Sequence, residues 1–259
     1  MKRMVAVLSL LVILCGTASA GTDSPRIMSY NLRFGELAGM QEIAEYIRTL
    51  DADIVALQEC DWATSRDRAP HQNGVRFINE LASGTGMFGI YGKSIDYRGG
   101  YYGIGILSRY PIVRSERTLL PNAGGKEQRS MLRADIELPD GQIVTFICTH
   151  LEVSSPELRM EQVRFIDRQV RGIVNPVILA GDMNALPDSP EMAWLRKGWD
   201  DLTDRELTFS TKSPSIKIDY IYGRKKSGIR LVRTWADRGP ALSDHFPVIS
   251  DVTAETTTH

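Results

Sequence analysis

Residues 176–189 read PVILAGDMNALPDS. From Pro176 to Ala180 the run is apolar without a break, bounded by Asn175 and Gly181. A run this short, with no polar alternation, reads as a strand buried on both faces. It delivers Asp182 and then Asn184 just past its last apolar residue. The same grammar recurs along the chain. Asn31 follows IMSY, Glu59 follows DIVALQ, and His150 follows VTFICT; Asp219 stands inside KIDYIY, and Asp244 and His245 precede FPVIS. Each polar residue sits on or directly beside an apolar strand, where a rigid sheet can hold a reactive group in place.

Working outward, strands are expected over residues 26–31, 53–59, 104–107, 112–119, 131–138, 143–149, 176–180, 216–222, 229–235 and 246–252. Tyr110-Pro111 breaks one pair, and Pro139-Asp140-Gly141 supplies a hairpin turn. Ile43, Tyr46, Ile47 and Leu50 recur at helical spacing within residues 40–50. Residues 74–82 also read as helical. Ser154-Ser155-Pro156-Glu157 opens a third helix, to about Arg171, with a cap at Ser154, an early proline and an acid. Strands outnumber helices, and several are continuous apolar runs, so the sheets must be covered on both sides. The expected fold is α/β: a four-layer α/β/β/α sandwich of two mixed sheets with helices outside.

The first twenty residues read as an address. Lys2 and Arg3 precede an apolar run from Val5 to Ile13, and Ala18-Ser19-Ala20 offers small residues for cleavage. The run is shorter than the ~20 residues that span a bilayer. An uncleaved N-terminal anchor and a lipoprotein at Cys15 are the alternatives; Leu14 is larger than a lipobox prefers. Residues 1–20 are therefore expected to be a signal peptide and residues 21–259 a single catalytic domain, secreted or periplasmic and monomeric. Removing Lys2 and Arg3 leaves 29 basic against 32 acidic residues. That net acidity provides no global field for nucleic acid. Cys60 and Cys148 remain; strand parity points them into different layers, so a disulfide is not expected.

The residue types at the strand ends fit one task. Glu59, Asp182, Asn184 and Asp244 are hard oxygen donors suited to Mg²⁺ or Mn²⁺. His150 and His245 can carry protons near neutral pH, and Asp219 can orient His245. Asn31 and Asn184 can donate to phosphoryl oxygens. No serine or cysteine lies in a nucleophile motif, which leaves water as the attacker. Taken singly, each acid also reads as a turn or helix cap and each histidine as a satisfied polar residue; His71 and His259 are read that way. The combination points to chemistry.

In order, SYNLR, VALQE, GIGILSRYPI, THLE, GDMNALPDS, IDYIY and LSDHFPV resemble the signatures of the endonuclease/exonuclease/phosphatase superfamily, which has the deoxyribonuclease I-like fold. The resemblance spans about residues 26–252. It implies a metal-dependent phosphoric ester hydrolase with Asn31, Glu59 and Asp244 on the metal and phosphate side. It further implies His150 against phosphate or as an acid, Asp182 and Asn184 orienting the water or leaving group, and Asp219 with His245 as the catalytic dyad. It does not fix the substrate.

Three stretches bear on that choice. Arg98, Tyr101 and Tyr102, in a glycine loop, are candidate substrate contacts, as is Arg129; Lys126 beside it is a second candidate cation. Arg224, Lys225, Lys226, Arg230 and Arg233 form the densest basic cluster, which reads as a phosphate-tracking patch or as a solvated hairpin. The acidic mature chain weighs against the broad basic groove of a nuclease, and no aromatic-rich insertion loop is visible. The expected substrate is a small or lipid-derived phosphate ester. A secreted DNase is the second reading, and a binding protein that kept the fold without catalysis is the third.

Overall fold

The computed structural model describes residues 24–254, so the leader expected over residues 1–20 lies outside the described residues. In chain order the elements are β1 (Arg26–Asn31), α1 (Met40–Thr49), β2 (Ile54–Trp62), α2 (Phe77–Thr85), β3 (Phe88–Tyr97), β4 (Gly100–Ser108), β5 (Ile112–Leu119), β6 (Ser130–Glu137), β7 (Ile143–His150), α3 (Pro156–Gln169), β8 (Val177–Asp182), α4 (Pro190–Leu195), β9 (Trp199–Asp201), β10 (Asp219–Arg224), β11 (Ile229–Ala236) and β12 (Val248–Ala254). They form two six-stranded sheets, ordered β11-β12-β1-β2-β4-β3 and β5-β6-β7-β8-β10-β9.

Each sheet holds one parallel pair at its centre, β1 with β2 and β7 with β8. Parallel neighbours need a crossover, and α1 and α3 supply them. Alternate residues of the central strands therefore face different cores. Ile54 and Ala56 join Phe146, Cys148, Ile178 and Ala180 between the sheets. Val55, Leu57 and Cys60 pack under α1 and α2, and Ile147, Leu179 and Tyr220 pack under α3 and α4. The result is the expected four-layer sandwich.

This arrangement gathers the polar strand ends. β1, β2, β7 and β8 finish at one edge, and β1 and β2 pack across the interlayer on β7 and β8. β10 runs antiparallel to β8 and starts there, with Asp219 opposite Asp182. β12 runs antiparallel to β1, so the segment leading into Val248 crosses the same edge.

Several local expectations are corrected. β3 was not expected; it pairs only with β4, and its residues are mostly part-exposed, so it lacks the apolar run that marks a buried strand. Residues 100–103, read as part of a glycine loop, belong to β4, where Gly103 admits the neighbouring backbone: a Cβ there would lie 2.1 Å from the Gly92 carbonyl oxygen. α2 begins at Phe77 rather than residue 74, because the Val75 carbonyl accepts from Ala63 N and Arg76 bridges Trp62. α3 is capped by Ser155, not Ser154, through a 3.2 Å bond from Leu158 N to Ser155 Oγ. β10 starts at Asp219, since Ile216 pairs instead with Phe209.

Candidate active site

Two backbone devices shape the site. At Gly181 the strands approach so closely that a Cβ would sit 2.1 Å from the Thr149 carbonyl oxygen. Only glycine permits this, and it brings Asp182 level with His150 in the parallel ladder. In β2 a bulge falls between Leu57 and Cys60, and Glu59 within it has φ +57°. Bulges re-aim side chains beside active sites. This one leaves Gln58 facing Cys148 between the sheets, turns Cys60 into the helix-side core, and presents Glu59 at the edge. The two cysteines thus lie in different layers, but the bulge rather than simple parity puts Cys60 there. Asn184 and Arg33 also hold left-handed backbone, at φ +47° and +46°. Strain of this kind, of order 1–3 kcal/mol per residue, collects at functional sites.

Asp182 is the hub. Its Oδ2 accepts from Asn31 Nδ2 at 3.0 Å and lies 3.5 Å from His150 Nε2 and 3.8 Å from His245 Nε2. Its Oδ1 accepts from Asn184 N at 2.9 Å. Burial, then the Asp219 carboxylate, push Asp182 up to about 7. Asn31 Nδ2 also donates to Glu59 Oε1 at 3.2 Å, joining the hub to the bulge.

The two histidines are held in opposite states. His245 Nδ1 donates to Asp219 Oδ2 at 2.9 Å, and its ring packs on Phe209 with centroids 4.9 Å apart. Burial alone would push its pKa down. The carboxylates of Asp219, Asp182 and Asp244 outweigh that and raise it to about 10, so His245 is an imidazolium at neutral pH. His150 Nδ1 lies 2.9 Å from Arg129 Nη1. Burial, Arg129 and His245 all lower its pKa, well below the ordinary histidine value. A guanidinium can only donate, so Nδ1 accepts and the proton resides on Nε2, facing Asp182.

All eight residues assigned to catalysis or metal from the sequence meet at this edge. Asp244 does so with a partner the sequence reading missed: its Oδ2 is ion-paired with Arg33, which also pairs with Glu36. The signal was present, because Arg33 closes the SYNLR motif. Ser243 was missed too; its Oγ donates to the Asn31 carbonyl at 2.6 Å and ties the LSDHFPV loop to β1. Among the candidate substrate contacts, Arg129 is at the site but engaged with His150 and Glu127. Tyr102 is buried, and Glu59 and Arg129 are the charges acting on its hydroxyl after burial itself. Arg98 and Tyr101 are not brought in. Arg98 pairs with Asp67 in the β3–β4 turn, and Tyr101 lies on the opposite face of β4 from Tyr102, under Lys93.

The donor set fits a divalent cation. Glu59, Asp182, Asp219 and Asp244 bring four carboxylates to one edge, where Arg33, Arg129 and His245 offer positive charge. Among the described residues Glu59 has no ion pair; burial raises its pKa, and Asn31 is its hydrogen-bond donor. A part-buried carboxylate without a paired charge is costly, and a bound cation would offset that cost. The tightest group of potential ligand atoms is instead Asp182, Asp219 and His245, within 4.8 Å of one another. Within that group the His245 Nδ1 is already engaged with Asp219, whereas Glu59 has a free carboxylate oxygen at the edge.

A model of the Endonuclease/Exonuclease/phosphatase family matches residues 28–245. The Escherichia coli K12 protein YbhP is 28% identical over 228 residues, which cover 82% of this chain and 88% of YbhP. An endonuclease/exonuclease/phosphatase structure from Beutenbergia cavernae aligns with a TM-score of 0.73 at 21% identity, over 89% of this chain and 71% of that one. The structure of a mannosyl-6-phosphatase from Bacteroides thetaiotaomicron aligns with a TM-score of 0.69 at 20% identity, over 89% of this chain and all of that one. At these identities the structures speak for the fold, and the family match speaks for descent. The chain belongs to the endonuclease/exonuclease/phosphatase family, whose members are phosphoesterases.

Proposed function

We propose that this protein is an active, Mg²⁺- or Mn²⁺-dependent phosphoric ester hydrolase that acts outside the cytoplasm on a small or lipid-derived ester. The observation that carries the reading is the hub at Asp182, where Asn31, His150 and His245 converge on one carboxylate oxygen. Glu59 would hold the cation, with Asn31 and Asp244 beside it. The bound cation supplies polarisation of the phosphoryl oxygens and neutralises charge on the leaving oxygen.

The chain's own groups do the rest. Asn31 Nδ2 and the neutral His150 Nε2–H are donors fixed before substrate arrives, and they can follow a phosphoryl oxygen as its charge grows. Asp182, poised near neutrality, accepts the proton of the attacking water. The carboxylates of Asp219, Asp182 and Asp244 raise the pKa of His245, so its role is to keep positive charge beside the reacting phosphorus, with Nε2–H turned towards Asp182. Asp219 fixes that ring.

The DNase reading is weakened by where the basic cluster lies. Arg224 ends β10 five residues from Asp219, about 17 Å along the strand. Its Nη1 donates to the Val170 carbonyl at 2.6 Å, Lys225 donates to the Arg196 carbonyl, and Arg233 pairs with Asp251. The purified mature protein should therefore hydrolyse a small ester with only shallow salt dependence. Plasmid cleavage that collapses as salt rises would favour the DNase, since many phosphate contacts steepen that slope. No turnover on phosphomonoesters, diesters, lipid phosphates or DNA would favour a binding protein.

A further inference from the structure

Beside the catalytic edge lies a cleft of about 660 Å³ that shares Asn184 with it. The cleft lies between the segment after β8, which contributes Leu186 and Pro187, and the segment before β10, which contributes Leu207 and Ile216. Its volume suits a small organic group and not a polymer. Three cations also line it, and each has partners within the protein. Arg159 Nε pairs with Glu191 at 2.7 Å, and its Nη1 donates to the carbonyls of Glu152 and Val153. Lys217 is buried, with Nζ 2.6 Å from Thr203 Oγ1 and 3.3 Å from the Asp219 carbonyl oxygen. Arg205 pairs with Asp188 at 3.2 Å. Leu186 and Leu207 remain 50% and 37% exposed. What the cleft offers is mostly apolar surface beside the reacting edge; its one well-exposed cation, Arg205, is balanced by the exposed Asp188 of the same lining.

We propose that this cleft binds the alcohol portion of the substrate, and that this portion is an apolar alkyl group. The inference rests on the hydrolase reading for its catalytic meaning, yet the cleft can be tested by binding alone. Phosphonates are not hydrolysed, and along an n-alkyl series the anionic head stays constant while only the tail changes. With Mg²⁺ present, affinity by calorimetry should rise about two- to four-fold per methylene from methyl- to butylphosphonate, the upper figure being full burial. It should level off when the chain outgrows the cleft. In the double variant Leu186→Ser, Leu207→Ser, with its melting temperature checked, the gain per methylene should shrink towards one. Equal affinity along the series, or a chain-length gain untouched in the folded double variant, would overturn the cleft. If the gain is present but no alkyl phosphate is turned over, the cleft stands and the hydrolase reading fails. Presenting the tail as a diacyl phosphate in phosphatidylcholine vesicles, against soluble octyl phosphate, tells a lipid source from a soluble one; a tail-dependent gain with either supports the cleft.

Discussion

Replacing Asp182 by Asn should destroy the enzyme and remove a pH-dependent cost from the fold. Asp182 is buried beside Asp219, and its pKa in the folded protein is about 7, against 3.8 when free. A carboxyl raised in this way binds its proton more tightly when folded. The native state therefore loses stability as pH rises from the unfolded value through the folded one. At about 1.4 kcal/mol per unit, ionising Asp182 costs the fold of order 3 kcal/mol more at pH 8 than near pH 4.5. Asparagine bears no ionisation cost, although its NH2 must face either Asn184 N or the donors of Asn31, His150 and His245, a penalty that does not vary with the ionisation of residue 182. Urea unfolding in EDTA from pH 4.5 to 8.5 should show Asp182→Asn gaining on wild type by that amount. For a chain of this size that is a relative gain of roughly 6–12 °C in melting temperature between pH 4.5 and pH 8. On the same preparation with metal restored, turnover should fall by about 10²–10⁴-fold, the usual worth of a general base. A stability difference that is flat with pH, or a variant that loses ground as pH rises, would refute the placement of an ionising carboxyl at the hub.

His245→Ala should lower turnover by about 10²–10⁴-fold with little loss of fold, and Asp219→Asn should cost less, because the amide keeps the ring's position without the charge; rate and melting curve on one preparation check both. In Arg129→Met the His150 ring loses the donor that fixes its tautomer, so its titration, followed by ¹⁵N NMR, should move up towards the ordinary histidine value. An unmoved titration would mean that burial alone sets His150. Intact mass of the folded, non-reduced protein should show no loss of two hydrogens, because Cys60 and Cys148 lie in different cores.

Much of the site was legible because the polar residues stand at the ends of apolar runs. Continuous burial of strands such as residues 177–180 told both the layer count and the edge where side chains emerge. What the sequence concealed was of three kinds. β3 carries no buried run, so only its pairing with β4 reveals it. The bulge at Glu59 is a backbone event, and residue types alone do not show a positive φ at a glutamate. The partners of the site residues come from far along the chain: Arg129 fixes the state of His150, and Arg33 claims an oxygen of Asp244 across 211 positions. Proton states followed the same rule. Whether His245 is base or cation depends on how many carboxylates surround it, and folding alone sets that number.

The most direct test of the account is a metal titration of turnover. Protein lacking residues 1–20 and stripped with EDTA should be inactive on 4-nitrophenyl phosphate and on bis(4-nitrophenyl) phosphate. Adding Mg²⁺ or Mn²⁺ should restore hydrolysis of at least one, and Glu59→Gln should raise the metal concentration needed by about ten-fold or more. Full turnover in metal-free buffer, or a Glu59→Gln curve that overlays wild type, would contradict the assignment of this edge as a metal-assisted phosphoesterase site.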